Sequence, residues 1–142
     1  MEVPLPATAS KMRFHRWDGA EQEGENGMIK LKANMEHELK SNIWGGNGSP
    51  DLCKVFTADE LGGRAKAFNV ITLQPGDSIG LHAHTEDSEI YFVLSSELTV
   101  TDNGTEMVLK TGDSIFTADE GTNSAENRTD GEVKMLAVIF PR

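Results

Sequence analysis

At 142 residues the chain has the length of one domain that buries a working core unaided, and its single cysteine, Cys53, excludes an intramolecular disulfide framework. Acids outnumber bases 23 to 13, a formal charge of −10, and no basic stripe with interleaved aromatics interrupts that balance. Such a surface disfavours nucleic acid and anionic membranes as partners, and no apolar run reaches the length of a transmembrane span.

In chain order, residues 1–11 carry Glu2, two prolines and no apolar stretch. They read as a flexible tail rather than a signal peptide, so the expected location is the cytoplasm. Residues 12–64 read as an N-terminal arm with strands. Within it, residues 12–17 suit a short strand, and residues 18–27, rich in acids and glycine, suit an exposed loop. Residues 33–43 have some helical flavour, or form an irregular connection, because Gly45, Gly46, Asn47, Gly48 and Pro50 break the chain just afterwards. Cys53, beside Val55 and Phe56, reads as buried filler rather than a nucleophile. Short strands then follow one another between turn signals: 65–73 before Pro75-Gly76, then 78–84, 89–95 and 97–101. Asn103-Gly104 signals a type I′ hairpin. Residues 105–110, a Gly112-Asp113 turn, residues 114–117, a loop and residues 133–140 complete the series. Closely spaced strands without intervening helices predict an all-β sandwich or barrel over residues 65–140.

The chemistry concentrates at His82, His84 and Glu89. Side chains at i and i+2 of a strand project from one face, so the two imidazoles share one space and Ala83 turns away. A hairpin through the polar link 85–88 brings Glu89 opposite them. Two imidazoles and a carboxylate form a donor set for a divalent transition metal, and manganese, iron, zinc and nickel all suit it. Two solvated polar histidines on a half-exposed strand are the plainer reading. If Glu89 faces inward, so do Tyr91 and Val93, which leaves Ile90, Phe92 and Leu94 on an outer face that needs a cover. The final strand is apolar on both faces as well. A homodimer packed sheet to sheet, or the N-terminal arm, would supply that cover; the homodimer is the preferred expectation.

Residues 76–96 resemble the first cupin motif, G-x5-H-x-H-x4-E-x6-G, with Gly76, His82, His84 and Glu89 in place and Ser96 at the final glycine. Residues 112–127 are similar to the second motif, G-x5-P-x-G-x2-H-x3-N, but keep only Gly112 and Asn127. Ala118 stands at the proline, Glu120 at the glycine and Asn123 at the histidine; a register shifted by one would put Gly121 at the glycine, and neither register offers a histidine. The chain most resembles the small single-domain bacterial cupins. That resemblance implies a double-stranded β-helix (jelly roll) and a metal site at His82, His84 and Glu89, with Asn123 at the position of the family's fourth ligand. An amide oxygen is a weaker donor than imidazole. With three protein ligands, a divalent ion keeps a net charge near +1 and open positions suited to a small bidentate carboxylate or an enediolate.

Glu120 and Glu126 are further oxygen donors near the second motif. Glu36, His37 and Glu38 form another cluster, which reads as an exposed patch unless the arm folds over the barrel mouth. His15 reads as structural or surface, and Asn127 as a turn-stabilising amide. Tyr91, Glu126 and Asn123 are candidates for polar support. Two functions compete, and the first is the preferred expectation. One is a metal-dependent enzyme acting on a small oxygen-rich carboxylate or carbonyl metabolite by oxidation, decarboxylation or isomerisation. The other is a non-catalytic module that binds a small molecule or a metal. A purely structural jelly roll is a weaker third.

Overall fold

In a computed structural model of the chain, the backbone is described for residues 13–17 and 21–142, and side chains from Gly27 onward. The chain divides into two compact units, residues 1–35 and residues 36–142. In the first, β1 (Arg13–Trp17) pairs in parallel with β2 (Glu21–Lys30), and a 3-10 turn follows at Lys32–Asn34. The expected exposed loop over 18–27 is therefore corrected from Glu21 onward. Its polar, glycine-bearing sequence lacks strand alternation, but pairing with β1 satisfies its backbone groups. The expected tail over residues 1–11 and the side chain of His15 lie outside the described residues.

The second unit begins where helical flavour was read, and no α-helix forms there. Glu36–Leu39 is a strand, β3, paired antiparallel with β4 (Asp51–Phe56). Strand alternation puts Glu36 and Glu38 on one face, where Lys54 Nζ meets them at 3.7 and 3.9 Å. Eight more strands follow: β5 (Ala67–Leu73), β6 (Ser78–Ala83), β7 (Asp87–Ser95), β8 (Glu97–Asp102), β9 (Thr105–Lys110), β10 (Ser114–Thr117), β11 (Thr122–Glu126) and β12 (Val133–Pro141). They form a six-stranded sheet ordered β10-β7-β12-β5-β4-β3 and a four-stranded sheet ordered β6-β11-β8-β9, with antiparallel pairing throughout. This is the all-β, double-stranded β-helix architecture.

The β8–β9 hairpin turns at Asn103 and Gly104, both at positive φ (46° and 87°), as a type I′ turn requires. Within residues 65–140 one strand departs from expectation: β11 occupies part of the stretch expected as a loop. Its sequence, Thr-Asn-Ser-Ala-Glu, has no large apolar residue, and the side chains it buries are Asn123 and Ala125. Leu73, Tyr91, Val93, Leu98, Val133 and Met135 fill the space between the sheets. Along β7 the alternation is as expected: Glu89, Tyr91 and Val93 are buried, whereas Phe92 and Leu94 are 39% and 41% exposed on the other face. Cross-strand pairing extends that outer face through Leu136 to Val70, and from Ile90 through Val138 to Phe68.

Candidate metal centre

β6 pairs with β11 through an irregularity: Asn123 lies opposite His82, but Ala125 lies opposite Ile79. The extra residue on β6 is a β-bulge, which lets Ile79, His82 and His84 all face inward while Leu81 stays 63% exposed. The expected hairpin does not form, because β6 and β7 belong to different sheets; the link between them turns at Glu86, with φ 65°, and crosses over to bring Glu89 against the histidines. One ligand atom from each of His82, His84 and Glu89 lies within 4.8 Å of the others, and all three side chains are buried.

Each imidazole is oriented through its second nitrogen. His82 Nδ1 donates to the Gly80 carbonyl at 2.8 Å, and His84 Nδ1 donates to Asp87 Oδ1 at 2.7 Å. Both acceptors lack a proton to give, so the protons sit on Nδ1 and both Nε2 atoms can offer lone pairs inward. His84 Nε2 then faces Glu89 Oε1 at 3.0 Å, and His82 Nε2 faces the same oxygen at 3.9 Å. Lone pairs this close in a buried site call for a positive charge between them, either a proton or a metal ion. Burial alone would lower the His82 pKa, but the Glu89 carboxylate, the Gly80 carbonyl and the charge of Asp87 outweigh it and hold it above 6.5. Burial and the neighbouring Glu89 charge push the Tyr91 phenol well above 10, so Tyr91 keeps its proton.

Asn123 stands at the edge of the cluster, fully buried. Its Nδ2 donates to Glu89 Oε1 at 3.2 Å and to Thr117 Oγ1 at 3.0 Å, and its Oδ1 is buried without a hydrogen-bond partner. An orphaned amide oxygen beside two inward Nε2 atoms and a carboxylate suits a divalent cation in both charge and donor type.

The cluster opens onto a cavity of about 350 Å³, whose wall also includes Ile43, Leu52, Ile71 and Tyr91. One wall is the 3-10 turn Ile43–Gly45, where Trp44 adopts a left-handed backbone (φ 52°, ψ 35°). The Trp44 indole stacks on His82, with ring centroids 5.1 Å apart and planes 7° from parallel. Two glycines allow that approach: a Cβ on Gly80 would lie 2.0 Å from the Trp44 carbonyl oxygen, and one on Gly46 would lie 2.2 Å from that of Ser78.

The cupin-domain family model matches residues 69–139. An oxalate-binding protein of Thermotoga maritima is 34% identical over 114 residues, which cover 80% of this chain and 94% of that protein. The chain is a cupin. A crystal structure from Thermotoga maritima, described as a predicted oxalate decarboxylase, superposes on this cupin with a TM-score of 0.75 at 32% identity, covering 79% of this chain and 97% of that one. A cupin domain from Schizosaccharomyces pombe shares the fold, with a TM-score of 0.65 at 13% identity over 92% of this chain and 85% of that one.

The degenerate motif positions of this cupin are visible in its backbone. Ser96 and Glu120, which stand where the motifs have glycine, both lie in the left-handed region, at φ 63° and 69°. Glu120 is therefore at the glycine position and Asn123 at the histidine position, rather than in the register shifted by one. Asn127 is an internal tie: its Nδ2 donates to the Leu73 and Gly131 carbonyls, and its Oδ1 accepts from Thr129. Glu126 pairs with Arg128 at 2.8 Å, and neither it nor Glu120 lines the cavity. His37 bonds Asp51 at 2.7 Å and does not reach the cluster.

Sequence reasoning missed Trp44, Lys40 and Asp87, all of which line the cavity. A usable signal was present. Gly80 interrupts a strand, and isolated strand glycines mark bulges or close backbone approach; the Gly45, Gly46, Gly48 series was the obvious partner.

Proposed function

We propose that this cupin holds one divalent transition-metal ion through His82, His84 and Glu89 and uses it to capture a small carboxylate of the oxalate type. The observation that carries the reading is the orientation of both imidazoles, each tied through Nδ1 and each aimed at Glu89, in the wall of a mostly apolar cavity. The bound ion would act as a Lewis acid toward carboxylate oxygens. Around it, Asn123 would steady the Glu89 carboxylate through Nδ2 and turn Oδ1 to the ion as a fourth, neutral donor. Asp87 would fix the His84 tautomer, as carboxylates behind ligating histidines do. The Thermotoga maritima relative named as an oxalate-binding protein supports the ligand class.

A metal-dependent enzyme acting on such a ligand by decarboxylation, oxidation or isomerisation is the second reading, favoured by the structural neighbour described as a predicted oxalate decarboxylase. Decarboxylation needs a proton for the carbon that loses carbon dioxide. The carboxyl groups in the cavity wall are Asp87 and Glu89, both engaged with histidine. The Tyr91 phenol in the same wall holds its proton too tightly to take the place of a carboxyl group, and binding without turnover is the leading reading. The same proposal takes the protein as a homodimer closed over the apolar outer face of the six-stranded sheet.

The test is calorimetry of oxalate against metal-free and metal-loaded protein, with the products of prolonged incubation assayed for formate and carbon dioxide. One ion per chain and oxalate binding to the loaded form alone are expected, with no formate. Formate release would move the assignment to the enzyme. Failure to take up manganese, iron, zinc or nickel would end the metal reading.

A further inference from the structure

We infer that the preferred ligand is longer than oxalate: an acid that chelates the metal at one end and carries a second carboxylate, across an apolar spacer, to Lys40. This rests on the carboxylate-capture reading and specifies its substrate class. Two independent observations lead to it.

The first is room. A cavity of about 350 Å³ falls in the range that holds drug-sized ligands, roughly 300–1,000 Å³, whereas oxalate has six heavy atoms. The wall is mostly apolar, with Ile43, Leu52, Ile71, Ile79 and Ile139 among its members. A short dianion bound at the metal alone would leave this surface uncovered. An apolar spacer would cover it.

The second is charge. A divalent ion with Glu89 leaves a net charge near +1. Asp87 adds no excess, because Lys66 Nζ pairs with it at 3.1 Å while its other oxygen holds His84. Among the described residues of the cavity wall, Lys40 is the one lysine or arginine, so a second positive charge belongs to that wall, on an exposed residue. Two separated charges of +1 match a dianion whose charges are also separated.

Lys40 belongs to a segment fixed against the barrel, which makes it part of a built wall. Its backbone N–H donates to the Pro50 carbonyl at 3.1 Å, and Asn42 N–H donates to that of Gly48 at 2.9 Å. Asn42 Nδ2 donates to the Gly46 carbonyl at 3.0 Å. Asn47 is bonded to Ser78 in both directions, at 2.8 and 2.9 Å, and the Gly46 and Gly80 backbones interlock as described.

The test uses the full chain loaded with manganese and isosteric pairs of 2-oxo acids: 2-oxoglutarate against 5-methyl-2-oxohexanoate, and 2-oxoadipate against 6-methyl-2-oxoheptanoate. Within a pair, the metal-binding head and the spacer are the same and only the distal carboxylate differs. In the unmodified protein, the diacid of at least one pair should bind about tenfold more tightly than its isostere. In Lys40→Met the advantage should shrink to near unity, and in Lys40→Glu it should reverse, while metal affinity and oxalate affinity stay as they were. Both substitutions are at an exposed position and leave the backbone bond from residue 40 to the Pro50 carbonyl in place. If oxalate binds but no diacid outbinds its isostere, or the advantage survives in Lys40→Met, the inference falls and carboxylate capture stands. If neither oxalate nor any 2-oxo acid binds the loaded protein, both fall.

Discussion

The two motif regions of this cupin contribute to the site in opposite ways. The continuous segment from β6 into β7 supplies both imidazoles and the carboxylate from within eight positions, and each histidine is fixed by a neighbour on the same segment, Gly80 or Asp87. The β10–β11 region supplies Thr117 and Asn123, both neutral, which reach Glu89 through one amide. A metal centre can thus take its donors from one short run of chain that bridges two sheets and leave to other strands the task of holding a carboxylate still. Substitutions in the first region should act on whether the ion binds, and those in the second on how tightly.

The largest effect is expected from His82→Ala or His84→Ala, each lowering metal affinity by more than about a hundredfold, beyond the ~10–100-fold typical of outer partners. Metal stoichiometry after dialysis checks it, and full occupancy in either variant would undo the comparison. Acidification should come next. His82 must be unprotonated to ligate, and its pKa in the metal-free protein is raised above 6.5. Affinity should therefore start to fall above pH 6.5 and then decline about tenfold per pH unit for each proton displaced. Titrations between pH 8 and 5 read the slope. Asp87→Asn should cost about 10–100-fold in metal affinity by releasing His84.

In the second region, Asn123→His should tighten binding by roughly tenfold, because imidazole is the stronger donor for these metals. Unchanged affinity would mean that the position supports Glu89 without reaching the ion. Phe92→Glu, on the outer face of the sheet, should leave metal binding as it is and convert a dimer to a monomer in sedimentation, which separates the inner face of β7 from its outer one.

The legible part of this molecule was the part governed by period and turn chemistry. Side chains two apart placed His82 with His84 and Glu89 with Tyr91, and Asn103-Gly104 fixed a hairpin, because these follow from local geometry alone. β11 was illegible because it buries an amide and an alanine where a strand usually buries large apolar groups. The wall made by Lys40 and Trp44 was illegible for a different reason. Residues 40–46 have no periodicity, and their position follows from two glycine backbones, Gly46 and Gly80, meeting across 34 residues of sequence. Tertiary contact decides such segments, as it decided that residues 36–39 pair with β4 instead of coiling.

The short span between His82 and Glu89 also bears on thermodynamic linkage. An ion stabilises a fold by RT ln(1 + [L]/Kd) only when the unfolded chain has no affinity for it. Here two histidines and a carboxylate remain neighbours in the denatured chain, within a loop so short that closing it costs little entropy. The denatured ensemble should keep a measurable share of the metal affinity. Adding the ion should then raise the melting temperature by less than its native-state dissociation constant implies.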